Sequence, residues 1–156
     1  MIRHEKLILE IIEKYEAYGA CLGGSRMLEL RGIKVDREPH DIDIIVRQQI
    51  ELTNDDSIED SGNEDHVTIK IKGIIVDFLL EKEPYSIEEI NGIPCVDLQS
   101  LINAKKRYNT KKHKNDLKLI LKTIDAQKIK ELAEKVQTTE NALQNEFMLE
   151  EVKITY

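Results

Sequence analysis

The sequence predicts an α+β protein, and three observations carry that reading. Apolar residues recur at helical spacing near the N-terminus, strand-like apolar runs occupy the middle of the chain, and helical spacing returns from residue 97 onward. With 156 residues, 40% of them hydrophobic and 34% charged, the chain suits one compact domain with a modest core and an appended helical segment.

Taken in order, Leu7, Ile8, Ile11, Ile12 and Tyr15 place an amphipathic helix over residues 4–18, ended by Gly19. Residues 20–22 (ACL) form a short apolar strand that runs into GGSRMLELRGI, where Ser25 or the glycine pair opens a second helix that stops near Gly32. Residues 33–40, with Pro39, make a loop, and residues 41–47 make a strand. Residues 53–65 have no apolar periodicity and read as a solvated loop. Val67, Ile69 and Ile71 alternate, the chain turns near Lys72-Gly73, and a strongly apolar run follows with one acid in it, Asp77. That pattern is a hairpin with one buried strand. Asp97 is placed to cap a helix carrying Leu98, Leu101 and Ile102. Leu117, Ile120, Leu121 and Ile124 make another helix, and Asp125 opens a further one with Ile129, Leu132 and Val136.

A formal charge of −7 argues against broad, nonspecific affinity for nucleic acid. Within that acidic chain, Lys105, Lys106, Arg107, Lys111, Lys112 and Lys114 form a basic cluster. The cluster favours an anionic ligand such as a triphosphate or an RNA backbone, against the plainer reading of a solvated helix-loop-helix. Cys21 and Cys95 have apolar neighbours and no CxxC spacing, and no signal-peptide pattern or long apolar run occurs. The expected setting is soluble, reducing and cytoplasmic, with no membrane partner.

Three pieces carry the chemistry. Gly23, Gly24 and Ser25 sit at a strand-to-helix junction, where small residues let backbone N–H groups approach a phosphate. The plainer alternative is a tight turn with a serine cap. In HDIDIIV, residues 40–46, Asp41 and Asp43 point to the same face of an extended chain, roughly 6–7 Å apart. At an effective dielectric near 20 their repulsion is about 2–3 kcal/mol, so either water screens the pair or a cation neutralises it. Asp77 lies between GIIV and FLL, where an unpaired carboxylate is costly, and a partner is implied. If Asp77 lies on a strand beside the other two, three hard oxygen donors suit Mg²⁺ or Mn²⁺ better than zinc. Solvated strand ends are the alternative for each acid taken singly.

Other residues carry less. His40 points away from its neighbour Asp41 and reads as structural or exposed, and His113 reads as part of the basic run. Tyr15, Tyr18 and Phe78 belong to apolar patterns. The acidic loop lacks an EF-hand arrangement, no Ser-His-Asp order recommends a hydrolase, and no Walker lysine follows the glycines.

GGSR, then DID followed by apolar residues, then a lone Asp in a later apolar strand resembles the nucleotidyltransferase superfamily typified by DNA polymerase beta. Gly24 and Ser25 match its turn, Asp41 and Asp43 its acidic pair, and Asp77 its third acid. The spacing from Ser25 to Asp41 is longer than the common pattern. The stretch from Ile93 to Leu121 is similar to small stand-alone bacterial members of the abortive-infection and toxin type, with Lys105, Lys114 and Asp116 in corresponding positions.

The resemblance implies a small mixed sheet flanked by helices, with a catalytic core over 1–96, a helical part over 97–137 closing the cleft, and a tail over 138–156. That tail is a last helix, an arm onto a partner protein or a second copy, or a disordered end. The resemblance further implies transfer of a nucleoside monophosphate from an NTP to an acceptor hydroxyl on a small molecule, protein or RNA. Asp41, Asp43 and Asp77 would hold Mg²⁺ or Mn²⁺, and Gly23, Gly24, Ser25, Arg26, Lys105 and Lys114 would hold the nucleotide. A toxin–antitoxin component using this chemistry on tRNA or a partner protein, and a noncatalytic nucleotide-binding module, are the alternatives. If Lys105 or Lys114 meets the triphosphate, its replacement by Ala is expected to weaken NTP binding more than folding.

Overall fold

The computed structural model describes residues 2–34, 40–50, 57–63, 66–108 and 110–154. The chain divides into two units, residues 1–119 and 120–156. In the first, α1 (Glu5–Lys14) buries Leu7, Ile8, Ile11 and Ile12, the residues whose spacing marks the helix. It stops at Lys14, and a short 3₁₀ turn (Glu16–Tyr18) completes the predicted stretch, closed by left-handed Gly19. β1 (Cys21–Leu22) leads through Gly23 into α2 (Gly24–Leu30).

β2 (Ile42–Val46), β3 (Ser57–Asn63), β4 (His66–Ile71), β5 (Ile74–Leu80), β6 (Ile87–Ile90) and β7 (Ile93–Val96) complete a mixed sheet in the order β3-β4-β5-β2-β1-β7-β6 among the described residues. The predicted strand over 41–47 and the hairpin turning at Lys72-Gly73 are both present. Lys72 and Gly73 take positive φ angles of 52° and 78°, as a tight two-residue turn requires. β3 corrects the loop expected over 53–65. Its residues pair antiparallel with β4, so the sheet's exposed edge recruits a segment that has no apolar alternation of its own. Residues 51–56 and 64–65 of that expected loop lie outside the described residues.

The central pair is β2 and β5, which run parallel with Ile42 opposite Val76 and Ile44 opposite Phe78. Ile42, Ile44, Val76 and Phe78 are buried, and the Tyr15 ring meets Phe78 edge-on at 4.9 Å between centroids. One face of this pair is therefore core, as the apolar residues around Tyr15 and Phe78 predict. Because side chains alternate across a strand, Asp43 and Asp77 belong to the opposite face. Cys21 and Cys95 are free and buried, and burial pushes their thiols up to about 12 and about 11.

Asp97 caps α3 (Leu98–Tyr108) as predicted, accepting the Ser100 N–H at 3.0 Å on one oxygen and the Ser86 N–H at 2.9 Å on the other. α4 (Lys111–Ile154) begins after Thr110, whose hydroxyl accepts the His113 N–H at 3.3 Å. No new helix opens at Asp125, which is an interior residue of α4. The second unit consists of the rest of this helix from residue 120. Among the described residues no helix is long and apolar enough to cross a membrane.

Candidate active site

The register of β2 and β5 sets Asp43 directly beside Asp77 on neighbouring parallel strands, a separation near 4.8 Å between strand axes. Asp41 precedes β2 and is exposed, whereas Asp43 and Asp77 are half-buried. Burial, with the Asp77 and Asp41 carboxylates close by, pushes the Asp43 carboxyl up to about 6, and Lys112 and Lys105 oppose that rise.

The glycine turn is built against the same acid. Gly23 donates its N–H to the Asp43 carbonyl at 2.9 Å, and a Cβ added at Gly23 would run into the Ile45 side chain. Gly24 has φ +62°, and a Cβ there would collide with the Asp43 carboxylate. Glycine is required at residue 24 for both reasons. Gly24→Ala is expected to lower stability by about 2–4 kcal/mol, combining left-handed strain with the clash. It should also turn the Asp43 carboxylate out of place, which a thermal melt and a titration with Mg²⁺ and NTP on the same variant would read separately.

Asp77 has the partner its apolar surroundings demand. The Thr68 hydroxyl donates to its Oδ1 at 2.6 Å, and His66 Nε2 lies 3.2 Å from the same oxygen. Both groups come from β4, with Thr68 directly opposite Asp77. Sequence reasoning missed them. The signal available was a threonine and a histidine two residues apart on the strand that hairpins onto Asp77, which puts both on one face.

The structure does not bring Arg26 to the acids' face. Its side chain is buried, and its guanidinium donates to the carbonyls of Arg3 at 2.6 Å, Asp41 at 2.9 Å and His40 at 3.3 Å, with His4 Nδ1 at 3.2 Å. Arg26 instead ties the backbone leading into β2 to the N-terminal segment, and so positions Asp41. His40 is exposed, as expected, and takes part through its carbonyl.

A cleft of about 110 Å³ is lined by Gly24, Ser25, Asp43, Lys105, Lys112 and His113, with aliphatic side chains from β2, β5 and α3. Lys105 is buried and its Nζ donates to Asp116 Oδ2 at 2.9 Å, the acid being 1% exposed. Lys114 is exposed and not among the cleft residues, whereas Lys112 and His113 are. Glu81 also lines this cleft, and Arg107 donates to both of its oxygens, at 2.8 and 2.7 Å.

Among the described residues no three His, Cys, Asp or Glu side chains are gathered into a ready-made metal site. Two crowded carboxylates beside a glycine turn nevertheless fit Mg²⁺, which is held by one or two carboxylates together with substrate phosphates rather than in an all-protein cage. Burial first, and then the neighbouring Asp77 and Asp41 carboxylates, raise the Asp43 carboxyl, a rise that a cation held there would oppose.

By sequence the chain matches no protein-family model and no curated protein. By structure it resembles the antibiotic-resistance factor ANT(2'')-Ia, with a TM-score of 0.52 and 16% identity over 90% of this chain and 94% of that one. The chain has the nucleotidyltransferase fold. A Thermotoga maritima protein provisionally described as a nucleotidyltransferase, TM1012, aligns at a TM-score of 0.43 and 18% identity, covering 86% of this chain and 96% of that one. JHP933 from Helicobacter pylori aligns at 0.40 and 19% identity over 65% of this chain, which spans about half (54%) of that protein's length. Within the nucleotidyltransferase fold, the glycine turn, the Asp43 and Asp77 pair and the Lys105 cleft all lie in the first unit.

Proposed function

We propose that this protein is a metal-dependent nucleotidyltransferase, which transfers a nucleoside monophosphate from an NTP to an acceptor hydroxyl. The observation that carries the reading is the in-register pairing of Asp43 with Asp77 against a turn where only glycine fits. Two acids brought together repel one another and destabilise the folded chain, a cost that a divalent ion would relieve, and Lys105 and Lys112 of the neighbouring cleft suit the phosphates that would accompany it.

On this reading Asp43 and Asp77 hold the ion, with Asp41 beside them at the solvent-facing end. A bound Mg²⁺ or Mn²⁺ would neutralise the phosphates and make the acceptor hydroxyl easier to deprotonate. The backbone at Gly24 and Ser25 approaches the triphosphate without steric hindrance. Lys105, held in place by Asp116, supplies fixed positive charge to the leaving pyrophosphate, and Lys112 adds to it. Thr68 fixes the orientation of the Asp77 carboxylate, which receives the acceptor's proton.

The test uses each labelled NTP with Mg²⁺, offered with aminoglycosides, tRNA and total cell protein as separate acceptors. A labelled product that appears only with metal supports the reading, and its class names the acceptor. Before any acceptor is known, Mg²⁺ and NTP together should raise the melting temperature, since a ligand that binds only the folded state stabilises it by mass action. A melting temperature unmoved by millimolar Mg²⁺ and every NTP would overturn the proposal.

A further inference from the structure

In the second unit, α4 carries large apolar side chains in water. Ile129, Leu132, Val136 and Leu143 are 69%, 63%, 51% and 61% exposed. Their spacing is three, then four, then seven residues, so they lie on one stripe, with Thr139 filling the remaining place. A solvated helix has no physical reason to keep such a stripe.

We infer that this stripe is the seam of a parallel two-stranded coiled coil formed with a second copy of the chain. Ile129, Val136 and Leu143 occupy heptad position a, and Leu132 and Thr139 occupy d. Two of the three a residues, Ile129 and Val136, are β-branched and Leu132 stands at d, the combination that favours two parallel strands. The Thr139 hydroxyl already donates to the Lys135 carbonyl at 3.0 Å, so placing that residue in the seam buries a methyl group and no unsatisfied hydroxyl.

Charge sets the orientation. Lys135 stands at g and Glu140 at the following e, the two positions that face each other between parallel helices. Dimer symmetry makes the contact twice. An antiparallel pair would set g against g and e against e, bringing lysine to lysine and glutamate to glutamate. The outer face is polar, with Gln137 donating to Asn141 at 3.2 Å along the same helix. The inference is independent of the catalytic reading, because none of these residues belongs to the cleft.

The test is sedimentation equilibrium of the full chain, with circular dichroism to confirm that helix content is kept. The wild type should show twice the chain mass at high micromolar concentration and dissociate on dilution. Leu132→Glu, at an exposed position that folding does not need, should raise the dissociation constant by roughly 100-fold or more. Lys135→Glu and Glu140→Lys should each raise it by roughly 3- to 10-fold, and the double exchange should restore it, since the pair then re-forms between chains with its signs reversed. Thr139→Cys should cross-link to a dimer on mild oxidation, as d positions meet only in the parallel arrangement. A monomer at every concentration, indifference to Leu132→Glu, or failure of the double exchange to rescue would each overturn the inference.

Discussion

Asp43→Asn is expected to abolish nucleotidyl transfer, by roughly 1,000-fold or more, and at the same time to make the metal-free protein more stable at neutral pH. The two effects have one origin. In the folded chain the Asp43 carboxyl is raised to about 6 from its ordinary 3.8, by burial first and then by Asp77 and Asp41. A raised acid holds its proton more tightly folded than unfolded. Stability from this group is therefore fully present below about pH 4, falls as pH rises toward 6, and stays low above it.

The loss amounts to at most about 3 kcal/mol for a shift of this size. Asparagine keeps the shape and carries no charge, so the variant escapes that loss. Denaturant titration in EDTA should find wild type and variant nearly equal at pH 4 and the variant ahead at pH 7. Saturating Mg²⁺ with NTP should narrow the gap by stabilising only the wild type. Turnover retained in Asp43→Asn would remove this residue from the chemistry, and a stability difference between wild type and variant that is the same at pH 4 and 7 would mean that burial and the neighbouring acids do not raise this carboxyl.

Lys105→Ala should be the most damaging of the cleft substitutions to folding. Removal of the ammonium takes from Asp116, 1% exposed, the cation that Lys105 holds 2.9 Å from its carboxylate. Breaking one side of a buried pair typically costs about 3–5 kcal/mol. The geometry thus sets a folding cost beside the loss of NTP binding expected from the sequence. Replacing both partners, as Lys105→Met with Asp116→Leu, should recover most of the stability, because no unpaired charge remains.

That double variant separates the roles. If Lys105 also meets the triphosphate, the refolded double variant should bind NTP at least 10-fold more weakly, and binding by the wild type should fall with added salt. Unchanged binding would confine Lys105 to holding α3 against the start of α4. Lys114→Ala, at an exposed position outside the cleft, serves as the control and should alter neither property.

Local pattern in the sequence was enough for α1, for the strand carrying Asp43, for the turn at Lys72-Gly73 and for the cap at Asp97, because each depends on side chains within a few residues of one another. The need of Asp77 for a partner was equally legible, since burying a lone carboxylate is costly anywhere. The hairpin of β6 and β7 turns at Asn91-Gly92, both at positive φ, and that dipeptide is the local signal for the turn.

Other features depended on the tertiary structure. β3 has no apolar alternation to announce it and exists through pairing with β4. The choice of Thr68 and His66 as partners of Asp77, the turning of Arg26 onto three carbonyls and the burial of Lys105 against Asp116 arise from strand order and helix packing. A charged side chain has the same local signature whether it meets a phosphate, a carbonyl or a carboxylate. Sequence alone determined which residue types this chain has for its chemistry. Only the fold, by bringing distant segments within hydrogen-bonding distance, decided which of them face one another.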